Sequence, residues 1–305
     1  MKCLFAYNPV SGKGKIKKKL DYIVDRLSEK YDQVEVYETK KAGDISLLAE
    51  NVASDYDAFI FSGGDGTFNE VVNGLAEKGS GVTLGYIPTG TVNDIARSMG
   101  IKRKIKGALD NILNGTPQKF DLMKVNDKYS FYAVAYGAMT TCSYMADQLA
   151  KKKMGKIAYV GYILQNDMKF DRFSVEYSHD GITGETDAVM IMIINSRSVS
   201  SFMLDKQAVL NDGMVDVVIV TEHPHKHELG FFRRVRNFFK TVALFLFGYK
   251  NAKKNKNMIT FTTSNAHFKV SDNKSWNFDG EKGLDGEIDL KVLKEEITLI
   301  VPSKK

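Results

Sequence analysis

"IFSGGDGTFNE", residues 60–70, decides how this 305-residue chain is read. A short apolar run ends in Gly63, Gly64, Asp65 and Gly66, and Phe68, Val71, Val72 and Leu75 then recur at helical spacing. An acid held among three glycines, just past a strand and just before a helix, is the layout of a ligand-binding turn. The glycines let the backbone turn tightly and let a ligand approach it. In open α/β sheets ligands bind beyond the carboxyl ends of the strands. A helix start presents N–H groups and a positive dipole end, which suit phosphate. Asp65 would repel phosphate unless a cation stood between them, and that points to a Mg²⁺-nucleotide. The plainer alternative is a strand-turn-helix with Asp65 as N-cap.

Two further turns resemble the first. "NPVSGKG" (8–14) follows the strand "KCLFAYN" and could bind phosphate through backbone N–H groups and lysines. It is neither a P-loop nor a GxGxxG turn. "IPTGTVND" (87–94) follows the strand "VTLGYIP", and Thr89, Gly90 and Thr91 offer hydrogen bonds to a nucleotide. Asp94 stands three residues after Thr91, so a capping box is the alternative there. Between these turns the chain alternates in type. Ile16, Leu20, Ile23 and Leu27 predict a helix, "QVEVYET" a strand and "DISLLAENVAS" a helix. The β-α-β-α order predicts a mostly parallel sheet with helices on both faces.

The pattern changes near residue 125. "YSFYAVAYG", "RFSVEYS", "DAVMIMIINS", "MVDVVIV", "MITFTTS", "HFKVS" and "EIDLKVL" read as strands, several joined by Gly or Asp-Gly turns. Helical stretches near 143–168 and 226–248 interrupt them. The expected organisation is an α/β nucleotide-binding domain over 1–125, which the strand candidate within 297–305 could complete. A largely antiparallel β-sandwich domain over 126–296 follows.

A composition of 43% apolar and 26% charged residues is that of a globular protein. Cys3 and Cys142 lie far apart, which argues against a disulfide framework or a zinc site. "MKCLFAYNPVSGKGK" does not read as a signal peptide, and no segment reaches the roughly 20 apolar residues that span a bilayer. The net charge of +6 is unevenly placed. Lysines cluster at 13–19, 102–106 and 151–156, and basic residues recur over 233–240. Such clusters favour phosphates, acidic lipid or nucleic acid, or are solvated helix faces. "FFRRVRNFFKTVALFLFGYK" (231–250) reads as an interfacial amphipathic helix or as one packed on the β domain. His223, His225 and His227 read as a polar loop rather than a metal site.

"NPVSG", "SGGDGTFNEVVNG" and "PTGTVNDIAR", in this order and spacing, resemble the bacterial soluble diacylglycerol kinases, within the diacylglycerol, sphingosine and ceramide kinase superfamily. "VLNDGMVDVVIV" (209–220) and "NFDGE" (277–281) resemble that family's two Asp-Gly motifs. The GGDGT turn alone is shared with NAD kinases and phosphofructokinases, whereas the five motifs together are specific. The resemblance implies an NAD-kinase-like nucleotide domain, a β-sandwich domain and an active site in the cleft between them. It places Asn8, Ser11, Gly12 and Thr39 along the ATP site. Gly64, Asp65, Gly66, Thr67 and Glu70 would hold the phosphates and their Mg²⁺, with Thr91 nearby. Asp65, Asp94 and Asp212 resemble the carboxylates of an aspartate, water and Mg²⁺ network. Asp212, with the backbone carbonyls of Val209 and Met214, would hold a structural Mg²⁺. Asp279 would be the general base. Glu281, on the same side if the chain is extended there, would orient it or touch the nucleotide.

The expectation is an ATP- and Mg²⁺-dependent lipid kinase that makes phosphatidic acid from diacylglycerol. It would be cytoplasmic and dock peripherally on an anionic membrane, with a homodimer left open. The rivals are kinases of phosphatidylglycerol, a sphingoid base or undecaprenol, then an NAD kinase, then a catalytically silent membrane-associated regulator. No RNA-recognition strand motif supports nucleic-acid binding.

Overall fold

The computed structural model describes residues 1–52, 55–78, 81–137, 172–196, 198–199, 202–203, 208–222, 258–272 and 274–303. The helices read near 143–168 and 226–248, the basic clusters at 151–156 and 233–240, Cys142 and the three histidines at 223–227 lie outside them. The chain divides into two compact units, residues 1–122 with 293–305, and residues 123–292.

In the first unit β1 (Lys2–Tyr7), α1 (Leu20–Ser28), β2 (Gln33–Glu38), α2 (Asp44–Val52), β3 (Ala58–Gly63), α3 (Asp65–Leu75) and β4 (Thr83–Pro88) alternate. Then come α4 (Asp94–Ser98) and α5 (Ile105–Asn114), and the second half of the last strand, β17 (Ile288–Val301), completes the sheet. The strand order is β2-β1-β3-β4-β17, and every pairing is parallel. Both faces are covered, so β3 is buried along its whole length. On one face Ile23 and Leu27 of α1 and Ala108, Leu109 and Ile112 of α5 pack with Cys3, Phe5, Ile60 and Ile300. On the other, Phe61, Phe68 and Tyr86 form a ring cluster with centroids 5.2–5.5 Å apart. Burying Phe68 of α3 there contributes about 2–3 kcal/mol.

The helix expected from Ile16 begins later, at Leu20. Single turns of 3-10 helix at Ser11–Gly14 and Lys17–Lys19 precede it. Gly14 has a positive φ of 70°, and lysines at a helix start oppose its dipole. Ile16 still reaches the core.

The second unit is antiparallel. It contains β5 (Thr116–Val125, entering from the first unit), β6 (Lys128–Ser130), β7 (Ala133–Gly137), β8 (Phe173–His179) and β9 (Ile182–Ile194). Two short strands, β10 (Ser198–Val199) and β11 (Phe202–Met203), precede β12 (Val215–Thr221), β13 (Met258–Thr263), β14 (Asn265–Val270), β15 (Ser275–Phe278) and β16 (Glu281–Asp285). The long β9 joins three ladders, with β8, β7 and β12. Alternate residues of each strand point inward. Val134 and Tyr136, Ile191 and Ile193, Val215, Val217 and Ile219, and Trp276 and Phe278 share one core.

Two strands differ from the sequence reading. "YSFYAVAYG" breaks at Phe131 and Tyr132 into β6 and β7. "EIDLKVL" and "ITLIVP" join as one strand of 14 residues, β17.

Candidate active site

The order β2-β1-β3-β4-β17 places β1 between two strands reached by crossovers in opposite directions. The space beyond the carboxyl ends of β1 and β3 is then the topological switch point, where open α/β sheets bind ligands. Residues 8–14 leave β1 at this edge, residues 64–66 leave β3, and residues 89–93 leave β4. The three polar turns picked out in the sequence thus lie on adjacent strands.

Their side chains tie them together. Ser11 Oγ lies 2.8 Å from Thr89 Oγ1, and Ser62 Oγ lies 3.3 Å from the same atom. Asn8 Oδ1 accepts the Val10 N–H at 3.0 Å, and its carbonyl accepts the Ser11 N–H. Thr39, beyond β2, donates its N–H to Tyr7 O at 3.0 Å. Beside it the Tyr7 hydroxyl donates to Glu38 at 2.5 Å, and Lys17 reaches the other oxygen at 3.2 Å. Burial, with the nearby Glu38, pushes the Tyr7 phenol up to about 12. Thr91 is exposed, and its carbonyl accepts from Arg103 Nη2 at 2.8 Å.

Gly64 and Gly90 meet backbone to backbone. A Cβ on Gly90 would stand 2.5 Å from Gly64 Cα and 2.7 Å from Asn93 Oδ1. The two turns therefore approach more closely than any side chain there allows. Gly64 is also the N-cap of α3 and, being glycine, offers no side-chain cap to that 11-residue helix. Thr67 and Glu70 lie half-buried in its first two turns.

Asp65 does not act as the N-cap of its own helix. Its carboxylate reaches across to α4, where Oδ2 accepts the Asp94 N–H and Oδ1 the Ile95 N–H, each at 3.0 Å. It caps a helix whose own N-cap, Asn93, has φ 54° and no side-chain cap bond. The alternative capping box between Thr91 and Asp94 does not form. Asp94 is buried and pairs with Arg97 Nη1 at 2.6 Å. The structure thus brings Asp65 and Asp94 together through backbone N–H groups.

In the second unit the "DG" of residues 279–280 forms the two-residue loop of the β15–β16 hairpin, closed by the Phe278–Glu281 pair. Asp279 and Gly280 have φ of 53° and 96°, as a type I′ turn requires. An ordinary turn of this kind leaves its first side chain in water, yet Asp279 is 3% exposed. Its Oδ1 accepts from Ser130 Oγ at 2.7 Å and from the N–H groups of Tyr132 and Ala133, each at 2.9 Å. Its Oδ2 accepts the Phe131 N–H at 2.7 Å. The interruption between β6 and β7 turns these N–H groups inward to the carboxylate. Buried carboxylates need such partners.

Glu281 begins β16 and is exposed. The same-side relation expected for an extended chain does not hold, because Asp279 sits in the turn with positive φ. Asp212 Oδ1 accepts the Met214 N–H at 3.0 Å in an exposed loop, and Val209 is 57% exposed. Among the described residues, no three His, Cys, Asp or Glu side chains converge as metal ligands.

The first unit fits a phosphate group on two counts, a helix start whose N-cap is a glycine and a glycine-lined approach to it. Of the carboxylates expected to serve Mg²⁺, Asp65 is engaged with the start of α4 and Asp94 with Arg97, and Glu70 lies half-buried on α3; phosphate oxygens and water are the further ligands such an ion takes. Tyr86, Asn93 and Ser62 are site neighbours that the sequence reading passed over. A tyrosine within a strand covered on both faces was the available signal, because its buried hydroxyl needs a partner.

Comparison with known proteins bears on the family and the fold. Residues 2–125 match the family described as the diacylglycerol kinase catalytic domain. A diacylglycerol kinase of Staphylococcus aureus (strain bovine RF122 / ET3-1) is 38% identical over 228 residues, 73% of this chain and 71% of that protein. A solved structure from Bacillus anthracis str. Sterne, described provisionally as a diacylglycerol kinase, superposes with a TM-score of 0.80. It is 26% identical, over 98% of this chain and 95% of that one. An NAD kinase from Archaeoglobus fulgidus, solved with ATP, shares the fold alone, with a TM-score of 0.52 at 13% identity over 100% of this chain and 95% of that one.

Proposed function

The chain belongs to the diacylglycerol kinase catalytic domain family of lipid phosphotransferases, and on that footing we propose that it transfers the γ-phosphoryl group of ATP to the hydroxyl of diacylglycerol. The observation that carries the reading is Asp279, a turn aspartate withdrawn from water and fixed by four hydrogen bonds. A turn needs no such carboxylate, and a carboxylate fixed in place is the type of group that takes a proton from an alcohol.

The turns at Gly64–Thr67 and Thr89–Thr91 hold the triphosphate, with Asn8, Ser11, Gly12 and Thr39 toward the nucleoside. Mg²⁺, when bound, would neutralise phosphate charge, and Asp65 and Glu70 would hold it, with Asp94 in the network of its waters. Asp212, with the backbone carbonyls of Val209 and Met214, would hold a second, structural Mg²⁺. A bond forms between the acceptor oxygen and the γ-phosphorus, the bond from that phosphorus to the β–γ bridging oxygen breaks, and ADP leaves. The hydroxyl proton passes to the Asp279 carboxylate. Glu281, exposed beyond the turn, contacts the nucleotide or steadies Asp279. Positioning and charge stabilisation account for most of the catalysis in such transfers. The lipid is reached by peripheral docking on an anionic surface.

The test is transfer of labelled γ-phosphate from ATP into mixed micelles. Diacylglycerol, phosphatidylglycerol, sphingosine and undecaprenol are offered in parallel, with NAD as a soluble acceptor. Label in phosphatidic acid alone is the expected result. Label in another lipid would keep the mechanism and change the substrate. Label in NAD alone, or nowhere despite ATP binding, would overturn the proposal.

A further inference from the structure

We propose that Tyr86 and Asn93 are positioning residues for the nucleotide, fastening the turn after β4 to the turn after β3 and so setting the width of the phosphate cradle. The inference rests on the nucleotide reading of that edge. Tyr86 is completely buried, with its ring against Phe61 and Phe68. Its hydroxyl stands 3.2 Å from Gly63 O and 3.3 Å from Asn93 Oδ1, so its one proton is shared between the two turns. Burial holds the phenol well above its ordinary pKa, so it stays a donor across the physiological range. Asn93 completes the link, donating from Nδ2 to Gly90 O at 2.7 Å.

The position of the link matters because of what lies between its ends. Gly63 O also accepts the N–H groups of Thr89, at 2.8 Å, and Gly90, at 3.3 Å. Gly64 and Gly90 are in backbone contact, and Asp65 reaches past them to the start of α4. Movement of the second turn by a few tenths of an ångström would shift Thr89, Gly90 and Thr91 relative to the start of α3. Phosphate held by several backbone groups at once is sensitive to such a shift. Asn93, at φ 54°, is itself in the left-handed region, which asparagine tolerates and most residues do not.

Two mild substitutions separate positioning from folding. Tyr86→Phe keeps the ring in the core, and Gly63 O retains its two backbone donors. Asn93→Gly keeps the positive φ and removes the amide. In isothermal titration calorimetry, each is expected to raise the Kd for Mg²⁺-ATP by about three- to tenfold, the loss of roughly one hydrogen bond's worth of affinity. The KM for ATP rises in parallel, kcat stays within about twofold, and Tm falls by only about 2–4 °C, the shift that a loss of about 1 kcal/mol causes in a protein of this size. An unchanged Kd in both variants would overturn the inference while leaving the nucleotide reading intact. Weakened binding that merely follows a lowered Tm would overturn it as well, by making the pair structural. Failure of the wild-type protein to bind ATP would overturn the nucleotide reading, and the inference with it.

Discussion

Asp279 shows how one residue answers to two demands. As the first residue of a type I′ turn it is an ordinary choice, since aspartate tolerates positive φ. As a buried carboxylate with four donors it is not. Asp279→Asn is expected to lower kcat by about a hundredfold or more while Mg²⁺-ATP still binds. It also turns an amide toward N–H groups, so a stability loss of about 1–3 kcal/mol accompanies it. Ser130→Ala separates the two effects. It removes one donor but keeps the carboxylate, so it should lower Tm modestly and leave turnover within a few-fold. A loss of turnover as deep as that of Asp279→Asn would assign Asp279 a purely structural part. Cys3 gives a second check. It is fully buried, and burial pushes its thiol up to about 12. It should resist thiol reagents at pH 8 until the protein unfolds, as peptide mapping after labelling would reveal. Rapid labelling in native conditions would contradict the packing of β1. The sequence offered Asp279 as a candidate through its motif. It could not reveal the burial, because the donors come from residues 130–133, almost 150 positions earlier.

Elements were legible where periodicity was strong. The spacing of Phe68, Val71, Val72 and Leu75 located α3, and these same residues are its buried face. The apolar runs ending at Tyr7, Gly63 and Pro88 located strands buried on both faces. Less was visible where two elements share one device. Asp65 reads locally as the cap of α3 but caps α4, about 30 residues on. β5 escaped notice because Pro117 and Lys119 obscure its start. α5 was hidden behind the lysines that precede it. Asp65→Ala should therefore unseat α4 and lower stability by about 1–2 kcal/mol, the usual cost of a lost cap, as well as weaken the use of Mg²⁺-ATP. An unchanged denaturant midpoint would show that the cap carries no weight. Gly90→Ala should be worse for the nucleotide than for the fold. The added methyl forces the turns at Gly64 and Gly90 apart, and Mg²⁺-ATP binding measured by calorimetry should fall by at least tenfold, about 1.4 kcal/mol.

At the scale of the whole molecule, the change from β-α alternation to hairpins was plain from composition and turn residues. The switch point was less so, because strand order depends on crossovers that periodicity does not record. Charge also acts at this scale. Hydrogen bonds from Tyr7 and Lys17 hold Glu38 below the usual carboxylate range, and the Lys40 and Lys41 N–H groups do the same for Asp44. Their stabilisation is present above the ordinary carboxylate pKa and lost as pH falls through the lowered values. Cys3 and Tyr7 are raised to about 12. The stabilisation they carry is present below their ordinary pKa and lost as pH rises toward 12. Tm should therefore be level from about pH 5 to 8 and fall on both sides. Tyr7→Phe should make both slopes shallower, and a Tm that rose from pH 5 to pH 3 would contradict the sign. In the proposed reaction the Gly-Asp turns hold ATP and Asp279 takes the acceptor's proton. This is tested most directly by single-turnover transfer of the γ-phosphoryl group to diacylglycerol, in wild type and Asp279→Asn at saturating Mg²⁺-ATP, with ATP affinity measured on the same samples. The expected result is labelled phosphatidic acid from the wild type, almost none from the variant, and nearly equal affinities for ATP. Equal transfer by both, or no transfer by a wild type that binds ATP, would contradict it.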